Sequence, residues 1–166
     1  MISERIVNTI RFLRIISAIT VVGLFGLFSA AVQADPRPAS SIPSSALVQP
    51  SELASTLRGP SSPKPLVLQV GFRKLYDQAH ILGAEYVGAG GDDQGLGALR
   101  ERVAKLTKDA PIVIYCGCCP WSHCPNVAEA FSALRDLGFS RVKVLHIPNN
   151  FGVDWVEKGH PTEKTP

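Results

Sequence analysis

Short apolar runs alternate with amphipathic stretches along most of the chain. Leu66-Val-Leu-Gln-Val70 and Pro111-Ile-Val-Ile-Tyr115 are apolar with little alternation, which predicts strands buried on both faces. Ala84–Val87 and Val142–Ile147 read as two further strands. Leu99, Val103 and Leu106 fall on one face of a helix over 99–106. Val127, Ala130, Phe131 and Leu134 do the same over 127–137, with Gly138 as the stop. Shorter helical turns are expected at Pro50–Leu57, where Leu53 and Leu57 face inward, at Lys74–Ala79 and at Asp154–Lys158. Gly59–Pro65 breaks the pattern, and the five glycines between 88 and 97 read as a mobile loop. Strands alternating with helices predict an α/β domain whose central sheet is mainly parallel and flanked by helices. In such sheets ligands sit beyond the carboxyl ends of the strands.

The N-terminal third follows a different pattern. Arg5, Arg11 and Arg14 precede an apolar run from Ile15 to Ala31, and Val32-Gln33-Ala34 places small residues before Asp35. Residues 1–34 therefore read as a signal peptide, with an uncleaved membrane anchor as the rival reading. Either predicts an exported chain, periplasmic or secreted, or membrane-anchored facing the periplasm. Residues 35–47, rich in Pro and Ser, read as a flexible linker, and the folded domain is expected over 48–163. Charge adds little to this picture. Of 17 basic and 14 acidic residues, the first 34 hold three and one, which leaves 14 against 13. No basic stripe predicts a nucleic-acid partner.

All four cysteines lie within nine residues, Cys116-Gly-Cys-Cys-Pro-Trp-Ser-His-Cys124, directly after the 111–115 strand and before the 127–137 helix. A disulfide framework spreads its cysteines to staple distant segments. This cluster predicts a local site, reactive or metal-binding, at the carboxyl end of a strand. Backbone N–H groups and the helix start near Pro125 would stabilise a thiolate there.

Several segments resemble the rhodanese-like domain family in that family's order. Ala79-His-Ile-Leu-Gly-Ala84 is similar to "GHIPGA", and Ile112-Val-Ile-Tyr-Cys116 to the strand that ends in the family's catalytic cysteine. Ala130–Leu134 with Leu137-Gly-Phe139 and Val142–Leu145 is similar to "AxxLxxxGFxxVxxL", and Trp155 with Gly159-His-Pro161 to "WxxxGxP". The resemblance implies a three-layer sulfurtransferase fold with Cys116 as the nucleophile that carries sulfane sulfur as a persulfide. It implies no cofactor. The expected partners are a small sulfur-containing anion or a low-molecular-weight thiol, with a thiol-redox protein as a further one. A membrane enters only if the N-terminal segment stays uncleaved. There are departures. The family's Asp-Val-Arg becomes Gln69-Val-Gly-Phe-Arg73, the active loop is long and lacks Arg, and Pro148-Asn-Asn150 replaces Gly-Gly.

The extra thiols leave two readings open. One of Cys118, Cys119 and Cys124 resolves the Cys116 persulfide into a disulfide, with Cys119 and Cys124 better placed than Cys118 if the loop curls. Alternatively the domain is a non-enzymatic module whose thiols dock a partner or hold zinc or copper through Cys116, Cys118, Cys119 and Cys124, with His123, although C-x-C-C-x4-C is no standard zinc spacing. His123 either assists a thiolate or faces solvent. Trp121 either roofs the pocket or anchors the loop, whose remaining pocket residues are Gly117 and Ser122. His80 is expected to make a structural hydrogen bond, Trp155 to be core, and Arg73 to be either an oxyanion ligand or solvated.

Overall fold

The computed structural model describes residues 38–60 and 63–166. The segment 1–34 read as a signal peptide or anchor lies outside the described residues. No helix among the described residues is long and apolar enough to cross a membrane.

Among the described residues seven strands form, β1 (Leu47–Val48), β2 (Leu66–Gln69), β3 (His80–Ile81), β4 (Glu85–Tyr86), β5 (Ile112–Tyr115), β6 (Val142–Leu145) and β7 (Thr162–Glu163). Five of them make one all-parallel sheet in the order β1-β6-β5-β2-β4. The α-helices among the described residues are α1 (Pro50–Arg58), α2 (Arg73–Gln78), α3 (Asp93–Val103) and α4 (Pro125–Asp136). β3 and β7 pair antiparallel as a separate ribbon.

The period of two along each strand splits the core into two layers. Ile112, Ile114 and Cys116 point to one face, where they meet Leu99 and Val103 of α3 and Val127, Ala130 and Leu134 of α4. Val113 and Tyr115 point to the other, where they meet Leu53 and Ala54 of α1, Ile81 and Trp155. Trp155 is fully buried, as its sequence context predicted, and its indole N–H donates to the Pro161 carbonyl at 3.0 Å. The α/β class with a mainly parallel sheet between helices is therefore what the chain adopts.

Two local expectations change. The linker expected up to residue 47 is folded from Ala39 onward. Two 3₁₀ turns, Ala39–Ser41 and Ser44–Ala46, bury Ala39, Ile42 and Ala46 in the layer under α4 and lead into β1. Their prolines hold the chain extended between apolar anchors. The glycine-rich stretch is likewise not a free loop beyond Asp92. Asp92 accepts a hydrogen bond from the Gly95 N–H at 2.7 Å and caps α3. Gly95 is required by close approach, because a Cβ there would collide with the Ala89 carbonyl.

Candidate functional site

Cys116 is the residue after β5, so the strand's alternation delivers its sulfur to the α3/α4 side at the carboxyl edge of the sheet. It is 3% exposed. Gly71, just beyond β2, makes room for it, since a Cβ at Gly71 would stand 2.8 Å from Cys116 Sγ. Gln69 ties the two strand ends together. Its Oε1 accepts the Gly71 N–H at 3.3 Å and its Nε2 donates to the Cys116 carbonyl at 3.5 Å.

Gly117 turns the loop back on itself with φ +73°, and the space its missing side chain leaves is filled by Phe151, 2.7 Å from where a Cβ would stand. Phe151 N–H donates to the Gly117 carbonyl at 3.1 Å, and Trp121 N–H donates to the Pro148 carbonyl at 3.1 Å. The loop is thus fastened to the segment after β6. The Trp121 ring meets His146 edge-on, 5.0 Å between centroids, and belongs to this fastening. It does not line the cavity described below.

The turn at Gly117 brings Cys118 Sγ to 3.0 Å from Cys116 Sγ. Cys119 Sγ lies 3.2 Å from Cys118 Sγ and donates to the His123 carbonyl at 3.5 Å. Cys124, buried in the N-cap position of α4, completes a group in which the sulfurs of Cys116, Cys118 and Cys124 all lie within 4.8 Å of one another. Cys118 and Cys124, two of the candidate accessory thiols, thus both stand beside Cys116. His123 is exposed, and its Nδ1 pairs with Ser122 Oγ at 2.8 Å.

Asn126, 4% exposed on the first turn of α4, carries no signal in the sequence reading, yet it touches the sulfurs. Its Oδ1 accepts the Gly91 N–H at 2.9 Å. An amide that gives its oxygen to an N–H must present its NH₂ on the other side. Nδ2 accordingly donates to Cys116 Sγ at 3.3 Å and reaches Cys118 Sγ at 3.9 Å. A buried Asn immediately inside a Cys-Pro helix start was the available clue, and Gln69 and Gly71 offered none stronger.

Of the four thiols only Cys124 is lowered. Thiol donation from Cys116 and then Cys118 holds Cys124 down to about 3, against the cost of burial and aided by the Val127 and Asn126 backbone N–H groups at the helix start. Cys118 pulls Cys116 downward, but the hydrogen bond to Cys124, burial and the charge on Cys124 outweigh it and push Cys116 up. Cys118 is raised by its bonds to Cys116 and Cys124, and Cys119 by burial.

A cavity of about 390 Å³ is lined in part by Cys116, Gly117 and Cys118. Tyr115, Phe151 and Val156 form much of its wall, and its polar side chains are Gln69, Gln78 and Asn150. No Lys, Arg, His, Asp or Glu lines it. Arg73 pairs instead with Asp77 at 3.1 Å and lies over the Tyr86 ring.

The chain belongs to the rhodanese-like domain family, whose family model matches residues 49–147. It is similar to the rhodanese-like domain of an Anabaena protein solved in solution by NMR. The two are 25% identical, with a TM-score of 0.53 over 72% of this chain and 79% of that one. A crystal structure of the same Anabaena protein is 25% identical with a TM-score of 0.54, over 70% of this chain and 82% of that one. A Bacillus halodurans protein is similar in fold, at 22% identity and a TM-score of 0.55 over 72% and 77% of the two chains. A comparison with curated proteins finds no match. The family makes the chain a rhodanese-fold module compatible with sulfurtransferase activity.

Proposed function

We propose that this protein is an exported sulfurtransferase that carries sulfane sulfur as a persulfide on Cys116. The observation that carries the reading is the placement of the Cys116 sulfur. It sits at the strand end in a residue that lines a cavity, with Asn126 Nδ2 donating to it at 3.3 Å and the Cys118 and Cys124 sulfurs in the same cluster. Cys116 attacks as the thiolate, its proton leaving to solvent, and the new Cys116–sulfur bond forms while the donor's bond to that sulfur breaks. The electron pair leaves with the donor fragment, and the persulfide then yields its outer sulfur to a thiol acceptor.

The uncharged cavity lining favours a low-molecular-weight persulfide as donor over thiosulfate. Two negative charges taken from water into a site without a facing cation carry a large desolvation cost. Cys118, 3.0 Å from Cys116, is the resolving thiol when no acceptor is present. It attacks the Cys116 sulfur, HS⁻ leaves, and a Cys116–Cys118 disulfide forms that a dithiol redox protein must reduce.

Intact-mass analysis after incubation with glutathione persulfide tests the reading. The wild-type protein is expected to gain one sulfur atom mapped to Cys116, and C116S to gain none and to lose transfer to a thiol acceptor. If C116S keeps full transfer, the reading is wrong.

A further inference from the structure

We propose that Cys116, Cys118 and Cys124 form a three-thiolate binding site for copper(I), independently of whether Cys116 also transfers sulfur. Their sulfurs all lie within 4.8 Å of one another, two of the three residues are buried, and no histidine or carboxylate joins the group among the described residues. A donor set of sulfur alone selects soft cations over hard ones. Metal–thiolate bonds of about 2.3 Å place the sulfurs of a trigonal site roughly 4.0 Å apart. The observed spread, from 3.0 Å between Cys116 and Cys118 up to the 4.8 Å limit, spans that spacing. Sub-ångström shifts of the loop therefore suffice.

The coordination number separates copper(I) from zinc. Structural zinc sites close with four ligands. The fourth thiol here, Cys119, contacts Cys118 at 3.2 Å but stands outside the three-sulfur group, and its other partner is the His123 carbonyl. Burial of Cys116 and Cys124, at 3% and 4% exposure, leaves little access for the water of an open zinc site and shields copper(I) from oxidation. Asn126 supplies the outer shell, since its Nδ2 already donates to Cys116 Sγ and its Oδ1 is fixed by Gly91. On binding, three copper–sulfur bonds form and the thiol protons leave to solvent. The metal enters as copper(I), so no electron is transferred.

The test is anaerobic titration of the reduced full-length protein with copper(I) against the competing chelator bicinchoninate, with native mass spectrometry for stoichiometry and X-ray absorption for the ligand shell. One copper per chain with three sulfur neighbours at about 2.3 Å is expected. C118S should bind at least ~100-fold more weakly, N126A roughly 10-fold more weakly, and C119S like the wild type. The X-ray absorption result needs no variant, so a poorly folded C118S does not blunt the test. No copper held against bicinchoninate, a two-sulfur shell, wild-type affinity in C118S, or zinc(II) bound through all four thiols in preference to copper(I) would each overturn the proposal.

Discussion

The cysteine loop and the β3/β7 ribbon both bury polar side chains, and they do so by opposite rules. In the ribbon, His80 is 4% exposed, stacked on Tyr76 with ring centroids 3.8 Å apart. Its Nδ1 is paired with the Tyr76 carbonyl at 2.8 Å and its Nε2 with Glu163 at 3.3 Å. The same Glu163 accepts the Gly83 N–H at 2.7 Å, and Tyr115 Oη accepts the Ile81 N–H. Each group there has a partner of a different kind, and nothing competes. In the cysteine loop the partners of the thiols are largely other thiols, so stabilising one as a thiolate raises the others. A satisfied network of unlike groups holds a fold together, whereas a cluster of like titrating groups stores reactivity.

Variants that touch one region and spare the other sharpen this contrast. The largest effect is expected from G71A. Its Cβ would crowd Cys116 Sγ at 2.8 Å and Gln69 Nε2 at 3.1 Å, shifting the sulfur. Sulfur transfer should fall about 100-fold, the scale of an ångström misplacement at a reacting atom, while the circular dichroism spectrum stays that of the wild type. An active G71A would show that the sulfur's position is not tightly set.

N126A removes the donor to Cys116 and should slow transfer about 10-fold, the weight of one hydrogen bond to a charged group. N126D should slow it more, because a carboxylate would face the thiolate cluster. Equal rates for the two would remove Asn126 from the account.

H80A acts on the other region. Loss of the Tyr76 and Glu163 bonds should lower unfolding stability in urea by about 1–3 kcal/mol and leave transfer per folded molecule unchanged. A matching fall in transfer would mean that the two regions are coupled.

A pH signature tests the thiol cluster alone. The depressed Cys124 contributes stability that is fully present above the ordinary thiol range, about 8.5, and is lost as pH falls toward about 3. Cys116 and Cys118 are raised, so their contribution is lost as pH climbs above that range. The difference in unfolding stability between wild type and C124S should peak near the ordinary thiol value. The thiolate absorbance step in acid should vanish in C124S. A step that survives in C124S would place the resting charge on another sulfur.

The parts of the fold legible in the sequence were those set by short-range periodicity. Ile112-Val-Ile-Tyr115 announced a doubly buried strand, and Val127, Ala130 and Leu134 announced the inner face of α4. What escaped depended on contacts between distant segments. Ala39, Ile42 and Ala46 sit in Pro/Ser-rich sequence and are buried because α4 lies over them. Gly95 looked like flexibility but is a close approach to Ala89. β3 and β7 are two residues each, too short to show any period. At the site, the strand fixed where Cys116 would lie. Which thiol would be its neighbour depended on one positive φ at Gly117, and the Asn126 contact depended on the Gly91 N–H that turns its amide.

The alternation along β5 also makes the site a matter of parity. Ile112, Ile114 and Cys116 share one face, and Val113 and Tyr115 share the other. Removing or adding a single residue between Ile112 and Cys116 would swing the sulfur through the sheet into the layer of Trp155, away from α4, Asn126 and its companion thiols. Two residues would restore the face. The placement of Cys116 is thus specified by an even count along a strand as much as by its own chemistry. Length changes of one in this segment should be silenced in evolution even where every side chain remains apolar.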